Sequence, residues 1–314
     1  MKLRFNELGI DKICGLFNKS RQSYYAMCRR TDSHTVEYEL ILDCIKRHRE
    51  LMPKIGTRKL LVLIKPELDA HGIKCGRDKL FSILRQSGHL NKRKKRCVGI
   101  TKREPISRHF VNLIKGLDIN KPEMVWATDT TEVKASDGTA YIKFMTDMYS
   151  KKIMGYACED NKGSTSSIAT LKMALKNRLY PSQSLIHHSD GGSEFFNYEY
   201  MNLLLKRQIR ISCSAPGCPK ENPVAERING ILKQEFLYER KKYTISQVRN
   251  VLHEIVKIYN HNRPHMSLNN LTPEVAHMRT GHIKKIWRAY APTVRRTGNP
   301  ESIGKIISEI MAKW

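Results

Sequence analysis

The feature that most constrains the fold is a change of hydrophobic period at Pro122. Three segments rich in strand-forming residues follow it: MVWATDTTEV, TAYIKFMTDMYS and KKIMGYACE. Ser136, Asp137 and Gly138 separate the first two segments, and Ser150 separates the next two. Strands joined by such short turns pair as an antiparallel meander. This stretch therefore predicts a sheet that begins with three antiparallel strands.

Helix and strand patterns then alternate. GSTSSIATLKMALKNRL predicts a helix, SLIHHSD a short strand, YEYMNLLLKRQ a helix and IRISCSAP another strand. Two long helices follow, ENPVAERINGILKQEFLYER and ISQVRNVLHEIVKIYNHNRPH, and the first of them opens with Asn222 and has Pro223 at a favourable first helical position. The order β-β-β-α-β-α-β-α-α predicts an α/β fold in which helices flank a mixed sheet.

The region up to residue 95 is predicted to be all helical. Ile10, Ile13, Leu16 and Phe17 form an apolar-periodic piece, and Ser20 is a candidate N-cap for a second short helix. Residues 37–51, GTRKLLVLIKPELDAHG and CGRDKLFSILRQSGHL each place apolar side chains along one face. Three short helices with tight turns containing glycine suit a helix-turn-helix DNA-binding unit. A plain helical bundle is the alternative.

These patterns divide the chain into five predicted regions. They are an N-terminal short helical segment (1–34), a helix-turn-helix domain (35–95), a basic linker (96–120), a catalytic core (121–278) and a basic tail (279–314). Five basic residues adjoin the start of the linker, and we predict that they contact DNA phosphates: Lys92, Arg93, Lys94, Lys95 and Arg96. A solvated charge run is the alternative.

The charge of the chain points to a polyanionic partner. The net charge is +26 over 314 residues, and a surplus of this size must be solvated or matched by opposite charge. Nucleic acid is the leading candidate, because phosphate contacts release condensed counterions. A membrane-surface protein is the rival class. No run approaches the roughly 18 apolar residues of a membrane span, and the N-terminus does not resemble a secretory signal. A cytoplasmic protein is expected.

The cysteines and histidines give little support for zinc. None of the eight cysteines forms a CxxC pair, so they are interpreted as small buried hydrophobes in a reducing compartment. Cys213 and Cys218 are the closest pair, but no second ligand pair lies nearby. His261 and His265 have helical spacing, but Pro264 lies between them and argues against a zinc helix.

Three carboxylates have contexts that suggest catalysis. Asp129 lies in the middle of a predicted strand, where aspartate is disfavoured. Asp190 ends a short apolar strand, and Glu226 lies near the start of a helix. Like charges placed together need a cation, and hard oxygen ligands select Mg²⁺ or Mn²⁺. Each residue also has a structural alternative. Asp129 could be an aspartate with its hydrogen bonds satisfied in a turn, Asp190 could cap the following loop, and Glu226 could interact with the helix dipole.

The spacing of these carboxylates carries little weight alone, but the motifs around them are specific. Sixty residues separate Asp129 from Asp190, and 35 separate Asp190 from Glu226. The segments WATDTTEV, HHSDGGSEF, ENPVAERINGILKQE and YNHNRPHMSLNNLTP resemble the OrfB-type transposases of the IS-three group of bacterial insertion sequences, which are kin of retroviral integrases. IGTRKLLVLI and GRDKLFSILRQSG extend the resemblance upstream, so that it covers roughly residues 10–278.

The resemblance implies an RNase H-like core with a five-stranded mixed sheet and a D,D-35-E triad on Asp129, Asp190 and Glu226. The expected activity is metal-dependent cleavage of the 3′ ends of an insertion sequence and their transfer to DNA by two Mg²⁺ or Mn²⁺ ions. The first attack is expected near the other end of the same element, giving a circular intermediate. The expected partners are double-stranded DNA (terminal inverted repeats and target), further copies of the chain and possibly an upstream OrfA protein. The expected location is the bacterial cytoplasm, at the nucleoid.

The resemblance also implies that Lys233, seven residues after Glu226, contacts DNA or supports the active site. Seven steps of about 100° bring a helical residue back to nearly the same face. A solvated face residue is the alternative for Lys233. Asn222 is either a simple N-cap or an active-site residue.

Two residues depart from the family pattern. Glu221 stands where the family commonly has Asp, and Arg227 follows Glu226 where Ser is frequent. Because of these departures, the element-end sequence that the protein prefers stays open. Asn222 and Arg227 are predicted to contact DNA.

Several other polar residues are interpreted as structural. His188 is more often structural than catalytic, and Trp126 is expected in the core. Tyr259, Asn260, Arg263 and Pro264 match the family's C-terminal motif and are interpreted mainly as helix-end packing.

Two rival functions remain open alongside the membrane-surface class. A non-joining nuclease of the same fold would show the same triad. A non-enzymatic DNA-binding regulator would use residues 37–95 and would be indifferent to Asp129→Asn.

Overall fold

Four helices form the N-terminal part of the computed structural model, which describes residues 9–91, 110–215, 221–237 and 243–286. They are α1 (Ile10–Leu16), α2 (Arg21–Leu51), α3 (Thr57–Ala70) and α4 (Arg77–Gln86). Ser20 caps α2 as predicted, because its Oγ accepts a hydrogen bond from the backbone N–H of Ser23 at 3.1 Å.

The length of α2 corrects one expectation. The sequence predicts a short helix after Ser20 and another over residues 37–51, whereas a single helix of 31 residues spans both. No glycine or proline stands between Arg21 and Leu51, so nothing in the backbone ends the helix. The predicted boundary at residue 34 falls inside α2.

The packing of α2, α3 and α4 follows the predicted apolar faces. Each helix buries a short stripe of side chains, namely Ile41, Cys44 and Ile45 on α2, Leu60, Ile64 and Leu68 on α3, and Leu80, Ile83 and Leu84 on α4. The turn between α3 and α4 contains Gly72 with φ +70°, a left-handed conformation that glycine adopts without steric cost. The compact three-helix unit is therefore present, while its DNA-binding role stays a prediction.

The sheet has the predicted five strands. They are β1 (Val125–Lys134), β2 (Thr139–Asp147), β3 (Ile153–Glu159), β4 (Ile186–Ser189) and β5 (Arg210–Cys213). Their order across the sheet is β3-β2-β1-β4-β5. β1, β2 and β3 pair antiparallel, whereas β4 pairs parallel to both β1 and β5. The predicted meander and the predicted mixed α/β fold are both confirmed, and the sheet is RNase H-like.

The remaining helices cover the two faces of this sheet. They are α5 (Ser164–Lys176), α6 (Tyr198–Lys206), α7 (Pro223–Ile231), α8 (Ile245–Asn262) and α9 (Pro273–His277). Short 3₁₀ turns occur at Ser193–Phe195 and Met266–Leu268, and a π-helical segment, Leu232–Leu237, continues α7. α5 and α6 pack with Trp126 and Met145 on one face, so Trp126 is a core residue as expected. α7 and α8 pack with Ile142 and Phe144 on the other face.

The core on the α7–α8 face continues into the N-terminal helices. One hydrophobic cluster contains Ile41, Leu60 and Leu84 together with Leu232 and Phe236. The helical region and the sheet domain therefore share a buried apolar core.

Part of the predicted basic linker is folded. Leu113, Ile114 and Ile119 pack against a small cluster that includes Val125 and Ile186. These apolar side chains explain why this end of the linker lies on the sheet domain. The five-region division as a whole stays a prediction.

A buried polar network holds α9 against the sheet. His277 lies between two buried carboxylates, with Nε2 3.3 Å from Glu123 Oε1 and Nδ1 3.7 Å from Asp147 Oδ1. Ser150 Oγ donates to Asp147 Oδ1 and lies 2.8 Å from His277 Nδ1. All four residues are buried. Because each polar group has a partner, we interpret this network as structural: it stabilises the packing of α9 against the sheet.

The segments that enter and leave the sheet domain meet. The backbone N–H of Gly281 donates to the carbonyl oxygen of Asn120 at 2.7 Å, and Tyr149 Oη donates to the carbonyl of Gly281 at 2.8 Å. Among the helices of the described ranges, none has the length and apolar character that crossing a bilayer requires.

Candidate active site

The pairing of β1 with β4 brings two of the predicted carboxylates together. The two strands run parallel with Ala127 opposite His188. Asp129 lies two residues beyond Ala127, and Asp190 lies two residues beyond His188, just after β4 ends. Equivalent positions on paired parallel strands are neighbours. The two aspartates therefore lie side by side at the end of β4, where the chain leaves the sheet.

α7 brings the third carboxylate to the same place. Glu226 lies in the first turn of α7, which begins with Pro223 and packs on β1. Two asparagines of this helical region hold it there. Asn222 Nδ2 donates to the carbonyl oxygen of Thr128 at 3.0 Å, and Asn229 Nδ2 donates to Asp129 Oδ2 at 2.8 Å.

These contacts describe the surroundings of Asn222. The residue occupies the N-cap position of α7, but its side chain makes no capping hydrogen bond. The amide instead contacts β1 beside Asp129, and the residue is only 2% exposed. Asn222 is thus part of the frame of the site, and its predicted DNA contact stays a prediction.

The electrostatics show that the three carboxylates interact. Burial raises the pKa of Asp129 to about 7, with further contributions from the neighbouring charges of Asp190 and Glu226. Burial and the charge of Asp190 likewise raise the pKa of Glu226. The negative charge of Asp190 thus disfavours the ionisation of both Asp129 and Glu226.

The oxygen atoms at the site are suitable ligands for a hard divalent cation, but the side chains do not converge on one point. Among the described residues, no group of three His, Cys, Asp or Glu side chains could hold a metal ion as it stands. Two buried amide oxygens beside the carboxylates, Asn222 Oδ1 and Asn229 Oδ1, lack a hydrogen-bond partner. Raised carboxylate pKa values and orphaned oxygens are both relieved by a bound cation, so the chemistry of the site fits Mg²⁺ or Mn²⁺.

Three further residues at the site escaped the sequence analysis. Asn229 holds Asp129, while the backbone N–H of Thr130 donates to Asp129 Oδ1 at 2.8 Å. Thr130 Oγ1 donates to Glu194 Oε1 at 3.0 Å, which adds a fourth carboxylate at the edge of the site. Helical spacing could have found Asn229, because residues 222, 226 and 229 share a face. No local signal indicated Glu194.

Lys233 lies close to the site, although by a different geometry from the one assumed. α7 ends at Ile231, and Lys233 belongs to the π-helical segment that follows it. The assumed rotation of about 100° per residue is therefore wrong beyond Ile231, since a π-helix bonds residue i to i+5. Burial lowers the pKa of half-buried Lys233, and the carboxylates of Glu132 and Asp129 oppose that shift. Lys233 is thus within electrostatic reach of Asp129.

The other predicted DNA contacts are placed as follows. Arg227 is exposed on α7 and lies within electrostatic reach of Lys59 and His265. The basic run from Lys92 to Arg96 lies outside the described residues. DNA contact by any of these side chains stays a prediction.

His188 is structural, as interpreted. It is fully buried, with Nδ1 2.9 Å from Ser212 Oγ and Nε2 3.0 Å from Ser214 Oγ. Burial lowers the pKa of His188 to about 4. The ring is therefore neutral at physiological pH, and both nitrogens already have partners.

His261 and His265, the histidine pair with helical spacing, have different environments. His261 is exposed and contacts the carbonyl of Lys257, whereas His265 is buried beside Arg263. Cys213 is buried in β5, and Cys218 lies outside the described residues.

The C-terminal motif packs against the core as interpreted. Asn260 bonds both the N–H and the carbonyl of Ile153, each at 3.0 Å. Tyr259 Oη donates to the carbonyl of Lys151, and Arg263 is an almost fully buried cation.

Known proteins resemble this chain in sequence. Two models described as integrase core domain match residues 119–219 and 207–273. The insertion element IS600 uncharacterized 31 kDa protein of Shigella sonnei is 28% identical over 267 residues, covering 83% of this chain and 96% of that protein. Transposase InsF for insertion sequence IS3A of Escherichia coli is 22% identical over 272 residues, covering 85% of this chain and 93% of that protein.

A solved structure shows a weaker likeness. The HTLV-2 integrase catalytic core domain in complex with magnesium is 19% identical with a TM-score of 0.40, over 50% of this chain and 97% of that one. At this score the likeness adds nothing to what the sheet order already shows.

The matched models, the sheet order and the carboxylate site define an integrase-core polynucleotidyl transferase. Within that class, the chain resembles the insertion-sequence transposases of the IS-three group. Its function is DNA transposition and integration.

Proposed function

We propose that the chain cuts the 3′ ends of an insertion sequence and joins them to DNA with two divalent ions held by Asp129, Asp190 and Glu226. The observation that carries the proposal is the parallel register of β1 and β4, which makes Asp129 and Asp190 neighbours. The raised pKa values of Asp129 and Glu226 support it, since both respond to nearby carboxylates. A pair of Mg²⁺ or Mn²⁺ ions would supply Lewis acidity and neutralise these charges.

The residues around Asp129 fix its orientation. The Thr130 N–H and the Asn229 amide each serve one carboxylate oxygen. Asn222 anchors the start of α7 to β1, which sets where Glu226 stands relative to Asp129. Positioning of this kind reduces the reorganisation needed when substrate binds.

The proposed reaction has two in-line steps. A water oxygen first bonds to phosphorus at the element end and the bond from phosphorus to the 3′ oxygen breaks. The water loses a proton, and the departing 3′ oxygen takes one up to become a free hydroxyl. That 3′ oxygen then attacks a phosphodiester of the acceptor DNA and displaces its 3′ oxygen, so the number of phosphodiester bonds is conserved. Neither a covalent protein–DNA intermediate nor a nucleotide cofactor is required. By family resemblance, the first acceptor is DNA near the other end of the same element.

The proposed partners are the terminal inverted repeats and a target duplex. The net charge of +26 suits phosphate binding. Helices α2 to α4 would serve as the helix-turn-helix unit, and Lys233 and Arg227 would contact DNA near the carboxylates. We expect several copies of the chain to assemble on DNA, with an OrfA protein as a possible addition, and action at the nucleoid in the cytoplasm.

The test uses labelled element-end DNA with Mg²⁺, Mn²⁺, Ca²⁺ or no metal. Wild type, Asp129→Asn, Asp190→Asn and Glu226→Gln are compared. We expect cutting and strand transfer with Mg²⁺ or Mn²⁺ by wild type alone. Cutting without strand transfer would favour the non-joining nuclease. Full activity in any one of the three variants would overturn the proposed mechanism.

A further inference from the structure

We propose that Lys59, Glu235 and Arg263 form a positioning cluster that fixes the N-terminal helices against the helical segment carrying the active-site glutamate. The inference rests on the proposed function and deepens it, because it assigns a part of the protein to setting where DNA is cut. None of the three side chains belongs to the carboxylate site.

The cluster joins three separate parts of the chain around one carboxylate. Glu235 lies in the π-helical segment that continues α7, Lys59 lies on α3, and Arg263 directly follows α8 as its C-cap. Glu235 Oε2 accepts from Arg263 Nε at 2.8 Å, and Oε1 accepts from Arg263 Nη2 at 2.8 Å. Oε1 also accepts from Lys59 Nζ at 2.7 Å. The bidentate bond between the Arg263 guanidinium and the Glu235 carboxylate fixes the relative orientation of the two groups as well as their distance.

The cluster is shielded from solvent, and each of its donor nitrogens has a hydrogen-bond partner. The side chains of Lys59, Glu235 and Arg263 are 15%, 12% and 1% exposed. Arg263 Nη1 lies 2.8 Å from His265 Nε2, and its guanidinium lies 5.8 Å from the centre of the Tyr259 ring. Burial, then the charges of Arg263 and Lys59, hold the pKa of His265 well below its usual value, so this ring is neutral and accepts the hydrogen bond.

A second set of contacts ties the same segment to the turn between α2 and α3. The backbone N–H of Lys54 donates to the carbonyl oxygen of Glu235 at 3.2 Å. Asn91 Nδ2 donates to the carbonyls of Lys54 and Ile55 at 2.9 and 3.1 Å. Glu235 thus holds the helical region through both its side chain and its backbone.

The geometry has a consequence for substrate. Apolar contacts between the two regions tolerate sliding. The buried bond from Lys59 to Glu235 tolerates less, because the bidentate pair with Arg263 holds the Glu235 carboxylate in one orientation. A helical region held in one arrangement delivers its bound DNA to the carboxylates at a fixed distance. The cluster would therefore set which phosphodiester of the element end reaches Asp129 and Glu226.

The experiment compares Glu235→Gln and Lys59→Met with a matched control, Glu67→Gln. Glu67 lies near the C-terminal end of α3, the helix that also carries Lys59. Unlike Lys59, it pairs within the helical region, with the exposed Arg47. End-labelled element-end DNA is bound with Mg²⁺, and the cut position is read at single-nucleotide resolution. We expect both cluster variants to bind DNA within about twofold of wild type but to lose about tenfold or more of correctly placed cutting.

Rescue and control outcomes make the test decisive. Lys59→Arg should restore the cut position that Lys59→Met loses, and Glu67→Gln should cut as wild type does. The proposal is overturned if both cluster variants, once shown to be folded, cut the same phosphodiester at the wild-type rate. Should Glu235→Gln fail to fold, Lys59→Met alone decides.

A second readout separates this inference from the proposed function. Amide hydrogen exchange is measured on the protein without DNA. We expect faster exchange in α3 and in residues 232–237 of Lys59→Met, with β1 and β2 unchanged. Unchanged exchange in α3 would overturn the coupling even in an active enzyme. If wild type cuts no DNA, the proposed function fails, while the exchange result still reports on the coupling.

Discussion

At the scale of single residues, Asp129 stands where a strand would ordinarily exclude it. Strands disfavour aspartate, and burial raises the pKa of this carboxyl to about 7. The residue stays in β1 because the Thr130 N–H and the Asn229 amide serve its oxygens. Burying this carboxylate disfavours its charged form, so we expect such a residue at a position that catalysis needs.

This cost leads to opposite effects of Asp129→Asn on stability and on activity. Without metal at about pH 8, above the folded pKa, the variant should melt at a higher temperature, because it removes a disfavoured charge. Asn229 can turn its amide so that its free oxygen accepts from the new side chain. Strand transfer should fall by roughly 10³-fold or more. Thermal unfolding and the end-DNA assay are measured on the same preparation. A lower melting temperature would contradict the electrostatic account.

Asn229 should matter through Asp129. Asn229→Ala frees one Asp129 oxygen to rotate, so activity should fall about 10- to 100-fold with a higher Mg²⁺ requirement. Asn229→Asp adds a like charge against Asp129 and should lose more. Mg²⁺ titrations of cutting rate measure both effects. Gln234→Ala changes an exposed residue of the adjoining segment and serves as the control. Wild-type Mg²⁺ dependence in Asn229→Ala would rule out this role.

The sequence predicted the triad but not the residues that support it. Asp129, Asp190 and Glu226 each had a telling local context: a strand interior, a strand end and a helix start. Thr130 acts through its backbone N–H, which no side-chain pattern reveals. Glu194 meets Thr130 only because β1 and β4 pair, and this tertiary fact has no local signal.

At the scale of elements, one close approach fixes α5 on the sheet. A Cβ added to Gly155 of β3 would lie 2.2 Å from the carbonyl oxygen of Thr170 and 2.9 Å from the backbone N of Ala174. Backbone atoms cannot move aside as a flexible side chain would. The packing distance between β3 and α5 therefore depends on the absence of a side chain at this position.

Gly155→Ala should destabilise the protein by about 1–3 kcal/mol or more, because α5 must shift away from β3. Gly230→Ala is the matched control. Gly230 lies inside α7 with no neighbour within 4 Å of an added Cβ, so alanine should stabilise by about 0.5–1 kcal/mol. Urea unfolding of both variants gives the comparison. Equal effects of the two changes would show that backbone freedom, not steric overlap, governs Gly155.

Element order was predictable, whereas two details were not. Alternating period, short turns and the Asn222–Pro223 start indicated the strands and α7 correctly. The continuity of α2 follows from the lack of a breaker, which periodicity alone does not show. The π-helical segment after α7 carries Glu235, whose partners lie on α3 and at the end of α8. Contacts so distant in sequence are invisible to local propensity.

At the scale of the whole molecule, stability should depend on the protonation of His277. Burial works against its charge, yet the hydrogen bonds of Asp147 and Glu123 outweigh burial and raise the pKa of His277. A raised folded pKa gives stability that is complete below the unfolded value of about 6.5 and is lost as pH rises through the folded pKa.

The prediction is a melting temperature that falls as pH rises above about 6.5, with a smaller fall in His277→Gln. Asp129 also titrates in the folded protein, so only the difference between wild type and variant isolates His277. His261→Gln, at an exposed histidine, is the control and should follow wild type. Melting curves from about pH 6 to about pH 9 measure the difference. Parallel curves for wild type and His277→Gln would show that the ring is neutral throughout.

The hydrogen bond between Gly281 and Asn120 makes the two ends of the sheet domain neighbours in space. A short linker could close this gap, so the domain should tolerate circular permutation, with new termini in the exposed turn at residues 136–138. Residues 120 and 281, which flank the domain on its two sides, therefore lie together. Both flanks can therefore be lengthened without threading the chain through the sheet domain, while the N-terminal helices keep the buried core that they share with it.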